Sequence, residues 1–214
     1  MSTPPLPESP SPAPRSAEAP LPKSRYAAFL LVAAAGCGLD LWTKHVMFAW
    51  PKLRQSVHWL LPDIAGFQVS VNEGALFGFG QGGQLWFAVL SVVAAVAIPV
   101  WLFSYGQARD QWVNLTLGAI LGGVLGNLYD RAGLHAMRWG RDWPLYGDHQ
   151  QGDRVYAVRD WILLQAGEDW RWPNFNIADS LLVVGAALLL LHSFRQPTHH
   201  DAATPEAVTG DDPK

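Results

Sequence analysis

Four long apolar stretches dominate the chain: Tyr26 to about Phe48, Leu85 to Phe103, Trp112 to Tyr129, and Phe175 to Phe194. Each approaches the roughly 20 residues a helix needs to cross a hydrocarbon layer of about 30 Å. The pattern therefore predicts an all-α membrane protein of four transmembrane helices. The second stretch, LWFAVLSVVAAVAIPVWLF, carries no charge, and its Pro99 is tolerable where neighbouring helices satisfy a freed backbone group. In the third, Gly118, Gly122 and Gly126 recur every four residues, a stripe that lets another helix approach closely.

The polar segments set the topology. Residues 106–111 form a short connection, whereas 49–84 and 132–174 are long and polar, so both termini share the short connection's side. Gln68 to Val71 and Arg154 to Ile162 have the β-branched and aromatic content of short strands, which predicts a small sheet on the long-loop side. Residues 1–24 hold eight of the sixteen prolines and read as a disordered tail, as do residues 197–214. The central unit thus runs from 25 to 196. His199, His200 and Asp201 sit together in the second tail, where a solvated segment is the default reading over weak metal binding.

Composition narrows the class. Only 15% of residues are charged, low for a soluble domain, and the net charge of −3 leaves no basic surface for nucleic acid. Many of the eleven tryptophans stand at the ends of apolar runs, where their rings suit a membrane interface. Lys and Arg do not orient the bundle: six lie on the side of the tails and nine on the other, but Lys44, Arg131 and Arg159 fall inside polar motifs where partners can hold them.

Polar residues in or beside membrane spans are costly and are functional candidates by default. Five clusters stand out, all on the long-loop side: Asp40 to Lys44, Asn72 to Phe77, GNLYDR at 126–131, Val158 to Trp161, and FNIADS at 175–180. On a helix, Asn127 shares a face with Asp130 and Arg131, and Asn176 shares one with Asp179, which would lie only about 6 to 8 Å into its span. On these residues alone, a small transporter or channel with a polar pathway is as good a reading as an enzyme.

In this order the five clusters resemble the motif set of the lipoprotein signal peptidases, from about Tyr26 to Phe194. The resemblance implies an aspartyl endopeptidase of the bacterial inner membrane, with catalytic aspartates at Asp160 and Asp179 and a site facing the periplasm. It further implies that Asn72, Gly74, Asn127, Arg131, Asn176 and Ala178 line or support the site. Asp40, Lys44 and Asp130 would brace it; Asp130 is the more prominent acid and the rival to Asp160, but its neighbour Arg131 can pair with it and keep it ionised and structural. The expected substrate is a prolipoprotein cut N-terminal to its diacylglyceryl cysteine, with membrane lipid as surroundings, globomycin-type depsipeptides as inhibitors, and neither cofactor nor metal. Two carboxylates suffice because like charges a few ångströms apart cannot both ionise easily, leaving one base and one acid around a water. The chain departs from the family pattern in a long 132–158 stretch, in Trp161 where a smaller aromatic is usual, and in Leu76 where Ala is usual.

Other readings are weaker. The run ending Ala34-Ala35-Gly36-Cys37 partly resembles a lipoprotein precursor's own cleavage site, but three more spans follow it. Gly78 to Gly83 fits G-x-G-x-x-G by letter but precedes a membrane span, so it reads as a flexible turn. Cys37, in an apolar helix, is expected to be inert.

Overall fold

In the computed structural model, residues 19–74, 83–145, 147–167 and 170–195 are described. Most of both tails, Ala75 to Phe77 of the second polar cluster and nearly all of the Gly78 to Gly83 turn therefore lie outside the described residues, as does the His199-His200-Asp201 group.

Four helices are long and apolar enough to cross a membrane: α1 (Lys23–Phe48), α2 (Gln84–Ser104), α3 (Gln111–Arg131) and α4 (Ile177–Arg195). The shortest, at 19 residues, is about 28 Å long at 1.5 Å per residue. α1 opens directly after Pro22, which stands at the N-cap in an extended conformation and whose carbonyl accepts from Arg25 N–H at 3.0 Å. Asp110 caps α3 by accepting from Trp112 N–H at 2.8 Å and Val113 N–H at 3.2 Å, and its other oxygen meets His192 Nε2 of α4 at 2.7 Å. Trp86, Trp101 and Trp112 stand exposed near helix ends, as a membrane-interface belt requires.

α3 is the central helix, packed against the other three. The glycine stripe explains how. A Cβ on Gly118 would lie 3.0 Å from Phe29 O, and one on Gly122 2.8 Å from Ala33 O, so these glycines let α1 pack backbone to backbone; Gly126 faces the Asp40 carboxylate in the same row. A fourth, Gly123, lies off the four-residue stripe and faces α4, where an added Cβ would meet Ala178 O at 2.6 Å. We expect Gly123→Ala to force the start of α4 outward and to destabilise by about 1–3 kcal/mol, read as a lower melting temperature in detergent. A melting temperature unchanged by Gly123→Ala would contradict this packing.

Between the spans lies a four-stranded antiparallel sheet in the order β1 (His58–Leu61), β2 (Ala65–Asn72), β3 (Val158–Ala166), β4 (Trp170–Arg171). The two expected strands are present within β2 and β3, but β3 starts at Val158. Arg154 enters only an isolated bridge with Arg138. The short β1 and β4 complete the sheet, pairing with the outer edges of β2 and β3. Under the sheet, Trp161, Val69, Leu53 and Phe48 form a small core. Trp161 thus points to the face opposite Asp160, so this larger aromatic fills the core and is absent from the walls of the site cavity.

Candidate active site

Register within the sheet places the first carboxylate. Ser70 pairs with Asp160 and Asn72 with Val158, so Asn72 is the diagonal neighbour of Asp160 on one face of the sheet. The Asn72 side chain accordingly hydrogen bonds Asp160. One extra residue in β2 between Phe67 and Ser70 bulges the strand just before this point.

The second carboxylate is placed by a helix cap. Asn176 lies just before α4 and not on it: Asn176 Oδ1 accepts from Asp179 N–H at 2.9 Å, while Asp179 Oδ2 accepts from Asn176 N–H at 3.2 Å. This reciprocal capping box explains the N-I-A-D spacing and puts Asp179 in the first helical turn. Phe175 lashes this entrance to β3, accepting from Trp161 N–H at 3.0 Å and Ile162 N–H at 2.8 Å and donating to Ile162 O at 3.1 Å. The cap and the sheet are thereby one unit.

The two carboxylates meet through Asn176, which donates from Nδ2 to Asp160 Oδ1 at 2.6 Å while its backbone N–H serves Asp179. Asp160 is only 1% exposed. Burial, reinforced by the nearby negative charge of Asp179, pushes its carboxyl well above the usual carboxylate range despite the opposing charge of Lys44 and hydrogen bonds from Asn176 and Asn72. Asp179 is half-buried, and both its oxygens accept hydrogen bonds: Oδ1 receives Asn127 Nδ2 at 2.9 Å.

Behind the pair lies a buried charged hub. Lys44 Nζ donates to Asn127 Oδ1 at 2.9 Å and forms ion pairs with Asp40 Oδ2 at 2.7 Å and Asp130 Oδ2 at 3.0 Å, both carboxylates being fully buried. Because Asn127 Oδ1 accepts from Lys44, and from Asn176 Nδ2 at 3.2 Å, its amide nitrogen must face Asp179. Asp40 also takes Ala178 N–H at 2.9 Å, tying α1 to the start of α4.

Asp130 does not pair with Arg131. Successive helix residues point about 100° apart, and Asp130 instead accepts Arg159 Nε at 3.0 Å, Nη2 at 2.8 Å and the Arg159 backbone N–H at 3.0 Å. This ion pair, with Nε and Nη2 converging on Oδ1 and the backbone N–H on Oδ2, links α3 to β3 beside Asp160. Arg159 stands in the sequence next to the predicted acid, but nothing local reveals its partner. Arg131 turns the other way, donating to Gly74 O at 3.4 Å with its guanidinium over the Phe87 ring. Gly74 N–H in turn donates to Asn72 Oδ1 at 3.0 Å.

A cavity of about 290 Å³ opens in front of Asp179. Its polar end is Asn72, Arg131 and Asp179, and its walls are largely apolar, with Val183 and Val184 of α4, Leu164 and Trp172. Asp160 lies just behind this surface. Of the residues singled out in the sequence, Asn72, Asn127, Asn176, Asp160 and Asp179 form one hydrogen-bonded group, Gly74 joins it through Asn72, and Asp40, Lys44, Asp130 and Ala178 stand directly behind it.

The model of a family described as signal peptidase (SPase) II matches residues 32–195. The chain is 48% identical over 188 residues to the lipoprotein signal peptidase of Rhodopirellula baltica, covering 86% of this chain and 80% of that one. It is 36% identical over 140 residues to the lipoprotein signal peptidase of Pseudomonas syringae pv. tomato, covering 64% and 68%. The fold is similar to two bacterial membrane enzyme structures obtained by the in meso method, at TM-scores of 0.63 and 0.61 with 20% and 22% identity, covering 84% and 80% of this chain and 95% of each. With the family match running from within α1 to the end of α4, this chain belongs to the signal peptidase II family.

Proposed function

We propose that the chain is an aspartyl endopeptidase that removes the signal peptide from diacylglyceryl-modified prolipoproteins, with Asp160 and Asp179 as its catalytic pair. Family membership carries the peptidase activity and its prolipoprotein substrates; the transporter or channel reading has no support there. The single observation that carries the aspartyl mechanism is the junction of two carboxylates, one from β3 and one from α4, on the same Asn176.

We assign the shared proton to the more deeply buried Asp160, whose carboxyl is pushed upward by burial, and it donates this proton to the scissile carbonyl oxygen. Asp179, with both oxygens accepting hydrogen bonds, is the ionised partner that takes a proton from the attacking water. A tetrahedral intermediate forms with no covalent bond to the enzyme, and Arg131, Asn72 and Asn127 hold the peptide and the developing charge. The cavity's apolar wall along α4 suits a substrate whose acyl chains remain in lipid while the bond N-terminal to the modified cysteine reaches Asp179. In this reading residues 25–196 form the peptidase domain, the site opens at the periplasmic face of the inner membrane, and both terminal tails are cytoplasmic. Globomycin-type depsipeptides would occupy the same cavity.

Two tests follow. Purified protein in micelles should cleave a prolipoprotein carrying diacylglyceryl cysteine and leave the unmodified precursor intact; equal cleavage of both would refute the lipid requirement. The rate should also fall on the alkaline side as Asp160 loses its proton, and on the acid side as Asp179 gains one. The sign for stability is fixed by the same shift. Folded Asp160 keeps a proton that the unfolded chain releases near the ordinary carboxylate value, so stability falls as pH rises from that value to the raised one. Melting temperature against pH should show this decline in the native protein and lose it in Asp160→Asn; a decline that persists in the variant would assign it to another group.

A further inference from the structure

The long 132–157 segment between α3 and β3 has no part in the chemistry above, yet it reaches the site from behind. Its described residues are ordered by short-range bonds: Trp139 N–H donates to Asp153 O at 2.9 Å, Gly152 N–H to Trp139 O at 2.9 Å, and Val155 N–H to Met137 O at 3.0 Å. Trp139, Val155 and Ala157 are fully buried and pack with Val71 of β2, the residue before Asn72. His149 lies flat on Trp139, ring centroids 4.2 Å apart and planes within 9°, and its Nε2 meets Glu73 Oε1 at 2.8 Å. Glu73 is 7% exposed.

Glu73 stands between two residues of the site. On one side Asn72 holds Asp160; on the other Gly74 offers its carbonyl to Arg131 and its N–H to Asn72. Its own side chain is directed into the 132–157 segment, onto His149. A carboxylate seated on a ring that is itself stacked on a buried indole is a firm anchor, since neither ring can turn without breaking the stack. The anchor adds a hold on the backbone between Asn72 and Gly74 to those that Asp160, Val158 and Arg131 provide.

We propose that His149, on its Trp139 platform, is a positioning residue that clamps Glu73 and so fixes the Asn72–Gly74 segment against the substrate and Asp160. The proposal rests on the peptidase reading above. The long segment is thus a buttress for substrate binding at the dyad. Because Asp160 is also held by Asn176, loosening the clamp acts on substrate binding more than on the chemical step.

The test is steady-state cleavage of a diacylglyceryl-modified prolipoprotein by the full-length protein in micelles. His149→Ala and Glu73→Ala should each raise KM about tenfold with kcat within about threefold, and the double variant should be no worse than either single one. His149→Gln, whose amide nitrogen reaches as far toward Glu73 as Nε2 does, should recover most of the loss. Unchanged KM in His149→Ala, or KM losses that multiply in the double variant, would overturn the clamp. Hydrogen exchange at the Gly74 amide gives a readout independent of activity and remains decisive should the wild type fail to cleave, an outcome that would refute the peptidase reading alone. His149→Asn, too short to reach Glu73, serves where the alanine variant does not fold. Faster Gly74 exchange in it supports the clamp, and exchange equal to wild type overturns it.

Discussion

Asp160→Asn and Asp179→Asn should each lower the cleavage rate by at least about a thousandfold while leaving a protein that inserts and melts near the wild-type temperature. An amide at 160 cannot give up a proton to the scissile carbonyl, and an amide at 179 cannot accept one from water. Neither change should break the fold. Asn at 160 keeps an oxygen for Asn176 Nδ2, and its uncharged amide relieves the burial of a titrating group. Asn at 179 keeps one acceptor and remains a competent residue in the first turn of α4. The double variant should be little slower than either single one, because the two act as a unit. Asp130→Asn is the control: its activity loss should track its loss of stability, since Asp130 faces Arg159 and Lys44 and does not line the cavity.

Lys44→Met should be the most destabilising single change in the bundle. It leaves Asp40 and Asp130 buried and facing each other's charge without the ammonium between them. Breaking a buried pair by removing one partner costs about 3–5 kcal/mol, enough in this bundle to lower the melting temperature by roughly 10 °C or more. Activity should fall too, because the freed Asn127 can rotate and withdraw its amide from Asp179. Adding Asp40→Asn to Lys44→Met should cost less than the sum of the two single changes, since the second removes a charge that the first has stranded. Additive losses in thermal scans would show that the hub is not one coupled network.

How much of this is legible in the sequence follows from the range of the interactions. The spans are readable because apolar length is a local property: the expected 85–103 and 112–129 correspond to Gln84–Ser104 and Gln111–Arg131. Span four begins two residues later than Phe175 because Asn176 serves as its cap and Phe175 pairs with β3. The glycine stripe is legible as far as one helix face goes, but Gly123 is not, since its reason is Ala178 on a helix 55 residues away (178 − 123). Adjacency misleads about the partner of Asp130. Arg131 follows it in sequence but points elsewhere, and Arg159 arrives only through sheet pairing that no local pattern encodes. The edge strands β1 and β4 are short, and their pairing partners, not their composition, make them strands. The 132–158 stretch reads as an enlarged loop because its buried members, Trp139 and Val155, are scattered among charges and glycines; packing on Val71 is what orders them.

Direct attack by water held between Asp160 and Asp179 is best tested by following oxygen through a single turnover in ¹⁸O-labelled water. The new carboxyl terminus of the released signal peptide should carry one ¹⁸O, and peptides of the enzyme containing Asp160 or Asp179 should carry none. Label appearing in either aspartate would mean that it had formed a covalent acyl intermediate, and hydrolysis by a water shared between the two carboxyl groups would be wrong.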